Sequence, residues 1–195
     1  MGIHDRRYDE RRPPDQGFWR RVMGEGDNFF SWAFKIFSVA GISVRIHMFF
    51  VIYIIIELLS AGRPDQLGVQ FTAIRLGCLF GIVLLHEFGH CIACRRSGGE
   101  ADDIILWPLG GLAMCRPRNT WQAHLITTLG GPAVNVALLP ILGGAVYIAS
   151  GQWGAVLFNP LQPYSVLKAG YIPSVAAYWL FFAHITNFYL LVFNV

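Results

Sequence analysis

The sequence predicts an α-helical polytopic membrane protein with about four transmembrane helices and short membrane-associated β-strands. Three observations carry this reading. Of 195 residues, 54% are hydrophobic and 14% are charged, against about 25% charged in an ordinary soluble domain. Mean hydropathy is +0.47. Long apolar runs are separated by short polar ones, and one apolar segment is broken by Pro and Gly. Residues 1–35 read as a polar N-terminal arm and residues 36–195 as the membrane domain.

The arm is rich in Arg, Pro, Gly and Asp, as in His4-Asp5-Arg6-Arg7, and carries no catalytic motif. About 40 polar and mixed residues precede the first long apolar run, which is not the pattern of a signal peptide. Phe29 to Phe34 form an aromatic patch of the kind found at a membrane interface. Phe37 to Ile46 alternate around Ala40-Gly41 and predict a short hairpin. His47 to Ser60 is the first expected span. It is short for about 30 Å of hydrocarbon, so Glu57 must reach an interface or the protein interior. His47 reads as an interfacial or hydrogen-bonded residue.

The second span runs from about Phe71 to Cys94, and Arg95-Arg96 mark a water interface after it. In Ile104 to Cys115, Pro108 and Gly110-Gly111 interrupt an apolar run too short to span. Two short strands around a turn fit better, and a strand edge there could hold an extended peptide by backbone pairing. The third span, about Gln122 to Ser150, is expected to be interrupted at Gly130-Gly131-Pro132. Asn135 reads equally as interhelical glue or as a site residue. Residues 151–174 read as a loop, and Ser174 to Val195 as the fourth span.

Lys and Arg counts alternate high, low, high, low along the connecting segments. The positive-inside rule then puts the N-terminus and residues 95–121 in the cytoplasm. Net charge is +3, with the basic residues mostly near the N-terminus, which points to an anionic membrane surface. No nucleic-acid-binding motif accompanies them. Of the four cysteines, Cys91 and Cys94 form a lone CxxC. A zinc ribbon needs a second pair, so packing residues are the favoured reading.

The chemistry lies in His86-Glu87-Phe88-Gly89-His90. Residues four apart share a helix face, so His86 and His90 can offer two imidazoles to one metal ion. Glu87 is placed to act as general base toward water activated by that metal. A carboxylate at bilayer depth costs roughly 2.5–3.5 kcal/mol on insertion scales, which marks Glu87 as functional by default.

This HExxH within a span, Gly110-Gly111 in a broken segment and Gly130-Gly131-Pro132-Ala133-Val134-Asn135 in the next span together resemble the site-2 protease family of intramembrane zinc metalloproteases. Arg45-Ile46-His47 after the hairpin is similar to that family's lead-in to its first span. The resemblance covers roughly residues 36–195. It implies Zn²⁺ held by His86 and His90, Glu87 as base, and substrate contacts from Asn135, Gly110 and Gly111. It also implies a membrane-protein substrate with a transmembrane segment, cleaved within the lipid bilayer. The family's third ligand is an Asp in an Asp-Gly sequence. No acid follows Asp103 here, so that Asp is expected beyond Val195, in a longer protease. His184, His124 and His47 are the nitrogens that could substitute for it. A proteolytically inactive membrane protein of the same fold, acting as a binding or regulatory partner, is the alternative. A lipid-modifying di-iron oxygenase would need more His and carboxylate clusters than six scattered histidines and an acid-free second half provide.

Overall fold

A computed structural model describes residues 32–63 and 68–194. The polar arm expected over residues 1–35 therefore lies almost wholly outside the described residues, as do Pro64 and Asp65 of the loop after the first apolar stretch.

The predicted hairpin is present as β1 (Ala33–Val39) and β2 (Ile42–His47), paired antiparallel. Its two-residue turn has Ala40 at φ 50 and Gly41 at φ 75. This is the left-handed pair whose twist matches flanking strands. His47 ends β2 and caps α1 (Met48–Ser60), where its Nδ1 accepts from the Phe49 amide at 3.2 Å. The hydrogen-bonded role expected of His47 is thus realised as a helix cap. At 13 residues, α1 is about 20 Å long, below the roughly 30 Å of a bilayer core. Glu57 near its end pairs with Arg75 of α2 (Val69–Arg96).

Among the described residues, three helices are long and apolar enough to cross a membrane: α2, α3 (Trp121–Ser150) and Val175–Phe193. The first expected span, His47 to Ser60, corresponds to the shorter apolar helix α1. The broken apolar segment folds as β3 (Glu100–Trp107) and β4 (Gly110–Arg116), turning at Pro108-Leu109. β3 pairs parallel to β2, with Ser43 opposite Asp103, and antiparallel to β4, with Ile104 opposite Ala113. The four strands thus lie in the order β1-β2-β3-β4. Arg45 Nε donates to Asp103 Oδ1 at 2.9 Å across the parallel pair.

Two expectations are corrected. Gly130-Gly131-Pro132 does not interrupt α3, which is continuous through both Pro132 and Pro140. A proline costs a membrane helix one N–H donor, and neighbouring elements compensate for it. The segment over 151–174 is more than a loop. It contains the turns α4 (Trp153–Val156) and α5 (Ser165–Lys168). Ala155, Phe158 and Val166 from this segment are buried in a core with Phe181, Phe182 and Ile185 of α6 (Val175–Phe193).

A second core joins the sheet to α2 through Val44, Ile104 and Leu106 against Val83, Cys91 and Cys94. Cys91 and Cys94 are fully buried and, like Cys78 and Cys115, free.

The closest helix contact is between α2 and α3. A Cβ on Gly89 would stand 2.4 Å from the Gly130 carbonyl oxygen, and a Cβ on Gly130 would stand 2.4 Å from that of Gly89. Both obstacles are backbone, so neither can yield without moving a helix. Gly130→Ala is expected to destabilise the fold by about 1–3 kcal/mol. Thermal unfolding in detergent micelles measures it, with Gly144→Ala, where a Cβ meets open space, as the neutral reference.

Candidate active site

α2 carries His86, Glu87 and His90, and α3 and β4 close over them from two sides. The helical spacing of the histidines brings their Nε2 atoms to 3.0 Å, with the rings edge-to-face at 81°. His90 Nδ1 lies 2.8 Å from the Thr127 carbonyl of α3. Donation of Nδ1–H to that oxygen fixes the tautomer and leaves the Nε2 lone pair outward. His86 is 2% exposed, and its Nδ1 has no hydrogen-bond partner. Two imidazole nitrogens 3.0 Å apart, one ring held with its Nε2 lone pair facing the other, form the bite of a metal-binding pair.

Gly131 shapes the far wall. A Cβ there would lie 2.4 Å from His90 Nε2 and 2.6 Å from His86 Nε2. The absent side chain is what leaves room for the two nitrogens. Asn135 lies one turn further along α3, hence on the same face as Gly131. It is fully buried, and neither amide atom of its side chain has a partner. Its backbone carbonyl accepts from Asn187 Nδ2 of α6 at 2.9 Å. The bond between these helices therefore uses the backbone of Asn135 and the side chain of Asn187, and the Asn135 amide remains uncommitted.

Glu87 is 7% exposed. Its Oε2 accepts from the Ala113 amide of β4 at 2.9 Å. Gly111 makes this approach possible, because a Cβ there would fall 2.3 Å from Glu87 Cγ. Gly110 sits at φ 147, a conformation open to glycine, at the start of β4. The sequence-predicted residues His86, Glu87, His90, Gly111 and Asn135 thus gather around one buried region, with Gly110 at its edge.

The three nitrogens considered as substitute ligands are elsewhere. His184 Nε2 meets the Val156 carbonyl at 3.1 Å, His47 caps α1, and His124 is exposed in the first turn of α3. Among the described residues, no group of three or more His, Cys, Asp or Glu side chains could hold a metal.

Sequence reasoning missed Thr127, Asn187 and the Ala113 amide. The first and third act through backbone atoms, which no residue type advertises. Gly131 was visible, but as a helix interruption rather than as the floor beneath two imidazoles.

A model of peptidase family M50 matches residues 74–192, from α2 through most of α6. The zinc metalloprotease MJ0392 of Methanocaldococcus jannaschii is 29% identical over 105 residues, which cover 54% of this chain and 30% of that protein. A candidate zinc metalloprotease of Synechocystis sp., sll0528, is 35% identical over 132 residues, covering 57% of this chain and 34% of that protein. The chain spans about a third of the length of the curated relatives it matches. The solved structure of a site-2 protease from Methanocaldococcus jannaschii aligns with a TM-score of 0.53 at 23% identity, over 82% of this chain and 64% of that one. That likeness establishes a common fold. With the family match over most of its length, this membrane chain belongs to peptidase family M50, the site-2 proteases.

Proposed function

We propose that the chain is the core of an intramembrane zinc metalloprotease that hydrolyses peptide bonds in or near transmembrane segments of membrane proteins. The observation that carries the reading is the His86–His90 pair, with Nε2 atoms 3.0 Å apart and the Glu87 carboxylate on the next residue. Tetrahedral zinc with Zn–N bonds of about 2.0–2.1 Å sets two nitrogens about 3.3 Å apart, so this pair fits the ion closely. The Thr127 carbonyl supplies the outer-shell acceptor that zinc-binding histidines ordinarily have. Zinc bound there would lower the pKa of a water toward about 7 and polarise the scissile carbonyl.

The chain's own residues do the rest. Glu87 takes a proton from the attacking water and passes it to the leaving amine nitrogen. A helical substrate must unwind first, because its carbonyls are hydrogen-bonded within the helix. The outer edge of β4, beginning at Gly110-Gly111, holds the unwound segment extended by backbone pairing. The uncommitted Asn135 amide contacts the substrate backbone from the opposite side. Zinc held by His86 and His90 would keep one position for water and would take a third protein ligand from outside the described residues. The N-terminus and the C-terminal end of α2 face the cytoplasm, so water enters from that side. The partners are the lipid bilayer and a membrane protein with a transmembrane segment, whose cleavage releases a regulatory fragment; no nucleic acid is bound.

One observation favours a second reading, a proteolytically inactive relative of the same fold that acts as a binding or regulatory partner: only two candidate metal-ligating side chains converge among the described residues. Metal analysis of the purified full-length protein separates the two, since absence of zinc supports the inactive form.

Glu87→Gln in the full-length protein is expected to slow cleavage of a reconstituted membrane substrate by at least about 100-fold while leaving zinc content unchanged. Undiminished cleavage would remove Glu87 from the mechanism. Gly131→Ala is expected to lower zinc content, because its methyl occupies the space into which both Nε2 atoms point. Equal metal stoichiometry in that variant and the unaltered protein would rule out this geometry.

A further inference from the structure

Glu87 has a position that base catalysis alone does not require. β4 is the last strand of the sheet, so one side of its backbone is open among the described residues. Along an antiparallel strand, N–H and C=O groups alternate between its two neighbours. The Ala113 N–H points to Glu87 Oε2 at 2.9 Å and therefore away from β3. By the same alternation, the backbone groups of Gly111 face outward too. The Glu87 side chain passes within 2.3 Å of a Cβ built on Gly111 before its carboxylate reaches Ala113. The glutamate thus crosses the face of β4 at Gly111 and turns its Oε2 to the outer edge at Ala113, where it accepts the hydrogen bond that a neighbouring strand's carbonyl would accept.

We propose that Glu87 gates the β4 edge, its carboxylate standing in for a docked strand's carbonyl until an extended peptide takes over the Ala113 N–H. This rests on the reading of β4 as the docking edge and adds the order of events. In the free protein the base is parked on a backbone amide. Pairing transfers that amide to a peptide carbonyl and frees the carboxylate beside the peptide that displaced it. Docking and release of the base then become one event, and the register is set, because the exchanged carbonyl must lie opposite Ala113. A base freed only when peptide is in place meets the proximity requirement without being exposed beforehand.

Competition gives a test that needs neither metal nor turnover. The probe is a fluorescein-labelled peptide of about ten alternating Val and Thr residues, a length and composition suited to an extended strand. The control is the same peptide N-methylated at alternate residues. Binding is measured by anisotropy with the full-length protein in detergent. Glu87→Ala removes the competitor and is expected to tighten binding roughly tenfold, the worth of one charge-assisted hydrogen bond. Ala113→Pro removes the N–H at an outward-facing edge position, where proline is tolerated; added to Glu87→Ala it takes the bond from the peptide with no competitor left to release, and is expected to cancel most of that tightening. Equal affinity for Glu87→Ala and unaltered protein overturns the gate, as does equal affinity for Glu87→Ala with and without Ala113→Pro. Hydrogen exchange in the unaltered protein adds a check free of variants. The peptide must slow exchange within residues 110–116, and protection confined to residues 33–39 overturns the proposal. Failure here leaves the cleavage result for Glu87→Gln standing, so the two readings fail separately.

Discussion

The site depends on how closely α2 and α3 approach. Apolar side chains gain little by leaving lipid for another helix, so packing between backbones must supply the association. Gly89 and Gly130 face each other's carbonyl oxygens at a distance that excludes even a methyl group. The next residue, Gly131, then lies against the two imidazoles on the adjoining turn of α2. The Thr127 carbonyl, one turn before, reaches His90 Nδ1 at 2.8 Å. A single close crossing therefore aligns the pair, orients one ring and leaves the space between the nitrogens empty. Wider separation would lose all three together.

The second constraint is the accounting of polar groups in an apolar setting. Buried non-helical backbone is tolerated only where its N–H and C=O groups are satisfied. β3 meets this by pairing on both sides, with β2 and with β4. β4 has a partner on one side only, and the Glu87 carboxylate satisfies the Ala113 amide on the other. The same bond gives a buried carboxylate a donor it would otherwise lack. Glu57 is handled differently, by Arg75 on the adjacent helix. Each acid in the helical part of the fold thus has a specific counterpart.

Much of this was legible in the sequence because it follows from periodicity and breakers. The hairpin at Ala40-Gly41, the strands flanking Pro108 and the boundaries of α3 and α6 all follow from apolar runs and turn residues. HExxH placed three site residues on one helix by spacing alone. The contacts that finish the site were not legible, since a carbonyl at Thr127 and an amide at Ala113 belong to every residue type. Gly131-Pro132 misled for a related reason. A helix breaker and a residue cut away to admit its neighbours look alike until the neighbours are known. The turns within residues 151–174 were hidden because their anchors, Ala155, Phe158 and Val166, are too few and too scattered to show a period.

Holding a base through a backbone amide has a consequence for selectivity. A side-chain partner would be displaced only by a ligand of matching chemistry. An edge-strand N–H is displaced by any peptide carbonyl, so on the proposed reading the trigger is conformational rather than chemical. A segment that stays helical keeps its carbonyls for itself and cannot free Glu87. One that unwinds offers them to β4 whatever its side chains are. Selection then falls on how readily a transmembrane segment gives up its helix, a property set by its glycines, prolines and β-branched residues rather than by a recognition sequence. The glycine at position 111 belongs to the same logic, because a side chain there would occupy the space through which Glu87 reaches the Ala113 amide.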